Sequence, residues 1–116
     1  MKKDYTAIEK NVSDATSLLL EALPEATEGL TWLAQHTKKA GTLSYRTKLQ
    51  ITLAIAINMR CDPCIARQAR RLAETGASRE EIAEVAGICL SMGGPPALTY
   101  AAGALEAFDT FSNNNQ

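Results

Sequence analysis

Two thiols three residues apart, Cys61 and Cys64 in the run Arg60-Cys61-Asp62-Pro63-Cys64, are the side chains of this sequence best suited to chemistry. At that spacing a disulfide can close within a single turn of backbone, so the pair can cycle between dithiol and disulfide. Asp62 is a favoured helix-capping type and Pro63 a favoured first helical residue, so a helix is expected to open here with Asp62 as its cap. Cys64 then lies in the first turn. Free N–H groups and the positive end of the helix dipole stabilise a thiolate there, and the thiolate is the reactive form. The blander reading makes the two cysteines small apolar fillers. Zinc is the competing chemistry, and a structural site wants four ligands. Only Cys89 and the one histidine, His36, remain as soft ligands, both distant in sequence and without a second CxxC or an HxxxH. A zinc site would therefore have to be intermolecular; neither a metal nor a cofactor is expected.

The neighbours of the pair can tune it. Arg60 precedes Cys61, and Arg67 lies one turn beyond Cys64 on the same helix side, so both would favour a thiolate by electrostatics; Asp62 opposes them. The alternative is that Arg67, Arg70 and Arg71 form a solvated face. His36 could offer an imidazole only if the second helix crosses the CxxC; otherwise it is a surface residue near a helix end. Cys89 falls where a core residue belongs and is read as packing. Trp32 and Tyr100 are read as packing or subunit contacts.

The elements that must hold these residues are all helical. From Tyr5 to Leu23, Ile8, Val12, Ala15, Leu18 and Leu19 recur at helical spacing before Pro24. Glu25 to Lys39 places Ala26, Leu30, Leu33 and Ala34 on one face, with Lys38 and Lys39 in the last turn and Gly41 after it. Ser44 is positioned to cap a third helix from Tyr45 to about Met59, whose second half is apolar all round and is expected at the centre of the bundle; a strand is the alternative there. The fourth helix opens at the CxxC, turns Ile65, Ala69, Leu72 and Ala73 inward, and ends at Gly76. Ser78-Arg79-Glu80-Glu81 reads as a capping box ahead of the stripe Ile82, Val85, Ala86 and Cys89. After Gly93-Gly94-Pro95-Pro96 a last helix from Ala97 to Phe111 is expected to bury Leu98, Ala101, Leu105 and Phe108, with a frayed polar tail from Ser112 to Gln116.

A chain of 116 residues is expected to form one domain spanning residues 1–116. Its 46% hydrophobic content includes only 5% aromatic residues, which suits closely packed, Ala-rich helices. A net charge of −1 provides no global field for nucleic acid or an anionic membrane. No apolar run is long enough to span a bilayer and the N-terminal residues hold no apolar signal core, so a cytoplasmic protein is expected. In a reducing compartment a CxxC is catalytic or metal-bound more often than a static staple.

The order of these features carries a resemblance. A buried apolar helix ends in Arg-Cys-Asp-Pro-Cys-Ile-Ala and an arginine-rich helix follows. Then come Glu-Thr-Gly-Ala-Ser-Arg-Glu-Glu-Ile-Ala-Glu, Met-Gly-Gly-Pro-Pro-Ala-Leu-Thr-Tyr-Ala and Ala-Leu-Glu-Ala-Phe. From about Leu30 to Phe111 the chain resembles the carboxymuconolactone decarboxylase / alkylhydroperoxidase-D-like family, in its short stand-alone form. The resemblance implies an all-α bundle of about six helices that assembles into a homo-oligomer, trimer or hexamer. It also implies a disulfide reductase or peroxidase centred on the CxxC, acting on a hydroperoxide or disulfide and recharged by a reductant protein. The family's thiol branch places a histidine four residues after the second cysteine and a glutamate twelve before the first. Here those positions hold Gln68 and Leu49, and Pro95 stands where a further glycine is usual. Gln68 can still reach back one turn to hydrogen-bond Cys64, but an amide cannot act as a general base. Gln50, adjacent to Leu49, is turned away by the helical step.

The reading is a thiol–disulfide oxidoreductase with Cys64 attacking, Cys61 resolving, and Gln68, Arg67 and Arg60 in support. Its alternatives are a catalytically degenerate oligomeric module and a lactone decarboxylase-type enzyme on the same fold.

Overall fold

The structure is a computed structural model describing residues 2–114. Its described residues form six helices and no strand: α1 (Tyr5–Ala22), α2 (Pro24–Lys38), α3 (Tyr45–Asn58), α4 (Asp62–Glu74), α5 (Arg79–Gly93) and α6 (Ala97–Asn114). The all-α expectation holds, and the strand alternative over α3 does not. Four helices, α3 to α6, pack on one another around Leu49, Leu53, Ile57, Ile65, Leu72, Ile82 and Cys89, all fully buried. The first turns of α1 dock onto α4 and α6, whereas α2 packs only against α1 and, sparsely, α3. The radius of gyration is 14.4 Å, above the roughly 13 Å of a compact chain this long. The end of α1 and the whole of α2 form an arm beside this core.

That arm departs from the periodicity. Ala15, Leu18 and Leu19 on α1, and Ala26, Leu30 and Leu33 on α2, make apolar stripes that face solvent, and α2 buries no residue. On α3, Leu53, Ala56 and Ile57 are buried but Ile51 and Ile55 stay about half exposed, so the helix lies against the core rather than inside it. Leu98, expected inward, is exposed, and Ala104 and Ala107 join Ala101 and Phe108 in the core instead. The α6 helix runs past Phe111 to Asn114; residues 115–116, the rest of the expected tail, lie outside the described residues.

Local chemistry fixes the helix ends. Ser44 accepts from the Thr47 N–H at 3.1 Å and Asp4 from that of Ala7 at 3.0 Å. Ser78 accepts from the Glu81 N–H at 3.2 Å, but the reciprocal half of the capping box is absent. The Glu81 carboxylate instead accepts from Gln50 Nε2 at 3.1 Å and pairs with Arg46 at 3.5 Å, tying α5 to α3. Arg70 grips Glu9 through Nε (2.8 and 3.0 Å) and Nη2 (2.7 Å) and reaches Glu74 at 2.8 Å, clamping α1 to α4. Of the three arginines read as a solvated face, Arg70 is engaged in ion pairs, while Arg67 and Arg71 are half-buried and make none among the described residues.

Candidate functional site

The end of α3 aims the CxxC. The Cys61 N–H donates to Ala56 O and the Arg60 N–H to Ile57 O, both at 3.1 Å, the paired bonds of a Schellman closure with Arg60 at its left-handed position. Arg60 has φ 58°, a conformation normally left to glycine. The same motif closes α4, where Gly76 at φ 80° takes that position. With the chain turned in this way, the Cys61 sulfur caps α4, accepting from the Cys64 N–H at 3.3 Å. The expectation that Asp62 is the cap is thus corrected: Asp62 is the first helical residue and Pro63 the second.

Cys61 and Cys64 are joined as a disulfide, with Cα atoms 5.3 Å apart. Cys64 is exposed and Cys61 half-buried. Asp62 does not bear on the sulfurs unopposed, because its Oδ2 accepts from Lys3 Nζ at 2.7 Å. That bond raises the Lys3 ammonium above the ordinary lysine range, and the same ammonium stands 5.0 Å from the Tyr100 ring centroid.

A cavity of about 350 Å³ opens beside the disulfide, lined by Cys61, Pro63, Cys64, Arg67 and Gln68 from the CxxC and α4, by Thr52, Ile55, Ala56 and Met59 from α3, and by Val12 and Lys38. Of the expected supporting residues, Gln68 and Arg67 are in place. Gln68 is only 3% exposed, and its Oε1 is buried with no hydrogen-bond partner among the described residues. Arg60 is not in place: it is exposed, lines no part of the cavity, and serves the turn instead. Leu49 is fully buried and also absent from the lining, and Gln50 is turned away from the site as expected, its amide donating to Glu81.

The second helix does reach the cysteine cavity, but with Lys38 rather than His36. His36 bonds through Nδ1 to Trp32 O at 2.8 Å and stacks on the Trp32 ring, centroids 4.1 Å apart. Burial, and then the charges of Arg71 and Arg67, push the Lys38 ammonium below the ordinary lysine range. Its only sequence signal was a place in the last turn of α2, where a lysine ordinarily complements the dipole. Cys89, the third thiol, is free, 1% exposed, and donates to Ala54 O at 3.4 Å; burial pushes its thiol up, away from the thiolate form.

Six helices with a CxxC at the mouth of the fourth define an all-helical dithiol protein. The sequence profile of the carboxymuconolactone decarboxylase family matches residues 23–107, and the chain belongs to that family. An uncharacterised protein of Cupriavidus necator is 32% identical over 92 residues, 79% of this chain and 81% of that protein. The crystal structure of an apo carboxymuconolactone decarboxylase family protein from Legionella pneumophila superposes with a TM-score of 0.89 at 38% identity, covering 93% of this chain and 96% of that one.

Proposed function

We propose that the protein is a thiol–disulfide oxidoreductase whose working pair is Cys61 and Cys64. The observation that carries this reading is the closed Cys61–Cys64 bond at the α4 N-terminus beside a cavity that contains two cations and no carboxylate. In the dithiol form, the Cys64 thiolate at the exposed position attacks the O–O bond of a hydroperoxide and releases the alcohol. The Cys61 thiolate then attacks the sulfur of the resulting sulfenic acid and expels hydroxide, giving the disulfide and water; the two thiol protons end in the alcohol and the water. A substrate disulfide follows the same course through a mixed disulfide and leaves as two thiols. A reductant protein or a low-molecular-weight thiol then restores the dithiol.

Lys38 and Arg67 take over the electrostatic part of the missing relay. Both favour the thiolate by their positive charge, which the neutral amide of Gln68 cannot do. The family's name describes a decarboxylase, but the cavity is lined by no histidine and no carboxylate, so the thiols carry the proposal. We also propose that the protein works as a homo-oligomer, because the α1–α2 arm leaves its apolar stripes uncovered.

The test is thiol titration of the reduced, folded protein before and after a hydroperoxide or a small disulfide. Loss of two thiols per chain, mapped by mass to a single Cys61–Cys64 link with Cys89 still free, is the expected result. If neither oxidant consumes thiols in the folded protein, the redox reading fails and the non-catalytic oligomeric module takes its place.

A further inference from the structure

A second, larger cavity of about 710 Å³ lies where α2 stands off α4, and it shares Lys38 and Arg67 with the cysteine cavity. Its remaining charged residues are Lys39 and Arg71, so four cations and no carboxylate face this space. Thr16, Thr31 and Tyr45 contribute hydroxyl-bearing side chains to the same lining. Lys38, Arg67 and Arg71 are each half-buried, and none of them makes an ion pair among the described residues. The other buried or half-buried arginines are paired: Arg70 with Glu9 and Glu74, Arg46 with Glu81. Like charges gathered in a cleft without counter-charge raise the energy of the empty site. That energy is recovered when an anion enters, and the low-dielectric walls strengthen the attraction.

We propose that the larger cavity binds the carboxylate groups of a low-molecular-weight disulfide, or of the thiol it yields, and delivers its sulfur to Cys64 through the shared Lys38–Arg67 boundary. The inference rests on the redox reading above and names its substrate class. The volume falls within the range of small-molecule sites. Planar guanidinium groups suit carboxylates because they can donate two parallel hydrogen bonds. In the reductive direction the Cys64 thiolate attacks one sulfur of the bound disulfide and expels one carboxylate-bearing thiolate. Cys61 then attacks Cys64 and expels the second. Two electrons pass from the protein dithiol to the substrate, and the two thiol protons are taken up by the thiolates released.

Three disulfides of similar reach but different charge separate this idea from its foundation: dithiodiglycolate (two carboxylates), bis(2-hydroxyethyl) disulfide (neutral) and cystamine (two ammonium groups). The reduced protein should be oxidised by the dianion at least roughly tenfold faster than by the neutral compound, and slowest by the dication. Rates normalised to those of free dithiothreitol remove the intrinsic reactivity differences. The preference should shrink as ionic strength rises and fall in the Arg71→Gln and Lys38→Gln proteins, but persist in Arg79→Gln, whose side chain pairs with Asp109 elsewhere. Equal normalised rates for all three compounds would overturn the proposal while leaving the redox reading intact. Absence of reaction with all three compounds would overturn delivery of a disulfide to Cys64, and the redox reading itself falls only if a hydroperoxide also consumes no thiols. The anion site then still has its own test, because the oxidised protein, with its disulfide closed, should bind dithiodiglycolate 1:1 in isothermal titration, more weakly with Arg71→Gln. No heat of binding at millimolar concentrations would overturn it.

Discussion

In the proposed chemistry Lys38 is the residue to test first, because it lines the cysteine cavity and makes no ion pair among the described residues. Its effect on stability has a definite sign. The folded protein lowers its pKa, so the unfolded chain binds the proton more readily, and the charged form opposes folding below the folded pKa. That penalty disappears once pH passes the ordinary lysine value of about 10.4. Lys38→Gln should therefore be more stable than the parent at pH 7, by no more than about 1 kcal/mol because the group is only half-buried and water screens it. Denaturant titrations at pH 7 and pH 10.5 should show the full gain at the first and a clearly smaller one at the second. The same change should raise the pKa of the reduced Cys64 thiol and slow its alkylation; an unchanged alkylation profile would remove Lys38 from the site. Arg60 is predicted to behave in the opposite manner. It was legible from the sequence as a cation beside Cys61 but not as the left-handed residue of a helix closure, because that position ordinarily announces itself as glycine. Arg60→Gly should stabilise the protein by up to about 1 kcal/mol, the relief of left-handed strain less the entropy gained by the unfolded chain. The thiol pKa should not move, since Arg60 lines neither cavity.

At the scale of elements, the docking of α1 includes one close approach besides the Arg70–Glu9 clamp. Tyr5 is buried at the start of α1, and a Cβ built on Gly103 of α6 would come within 2.5 Å of its hydroxyl oxygen but a tolerable 3.6 Å of Cζ. Gly103→Ala should accordingly cost about 1–3 kcal/mol by overpacking. The same substitution in a Tyr5→Phe background should cost little, since the clash is with the hydroxyl alone. A double-mutant cycle by chemical denaturation measures this directly, and additive effects would contradict the packing described. Helix order, the caps at Ser44 and Ser78, and the core stripe ending in Cys89 were all legible, because each depends on neighbours within a turn or two. The Glu81 side chain was misread for the converse reason. Its partners, Gln50 and Arg46, are local to a different helix, and no pattern along α5 announces them. The larger cavity was hidden in the same way, since its cations come from α2 and α4, which meet only through the path of the chain around α3.

At the scale of the whole molecule, the periodicity of α1 and α2 was correct as a statement about apolar faces and silent about what covers them. Leu18, Leu30 and Leu33 are 69%, 67% and 51% exposed, and Ile55, Met59 and Ile88 continue the exposed apolar set on α3 and α5. So many large apolar side chains in water are unfavourable by about 1.5–3 kcal/mol each relative to full burial. The arm is tied at both ends, since α2 begins at Pro24 directly after α1 ends at Ala22 and Lys48 donates to Thr37 O and Lys39 O at its other end. Burial against further copies of the same chain is then the available route, and closed symmetry limits the size of the assembly. Light scattering at micromolar concentration should give a trimer or a hexamer. Leu18→Glu and Leu33→Glu test the face itself, since neither residue contributes to the monomer core or lines either cavity. Each change should weaken association by at least roughly 2 kcal/mol per contact, about 30-fold in Kd, and shift the protein toward monomer. Helical content by circular dichroism should stay at the parent level. A parent protein that is already monomeric, or variants that keep the parent's mass, would mean that the arm is not the assembly surface.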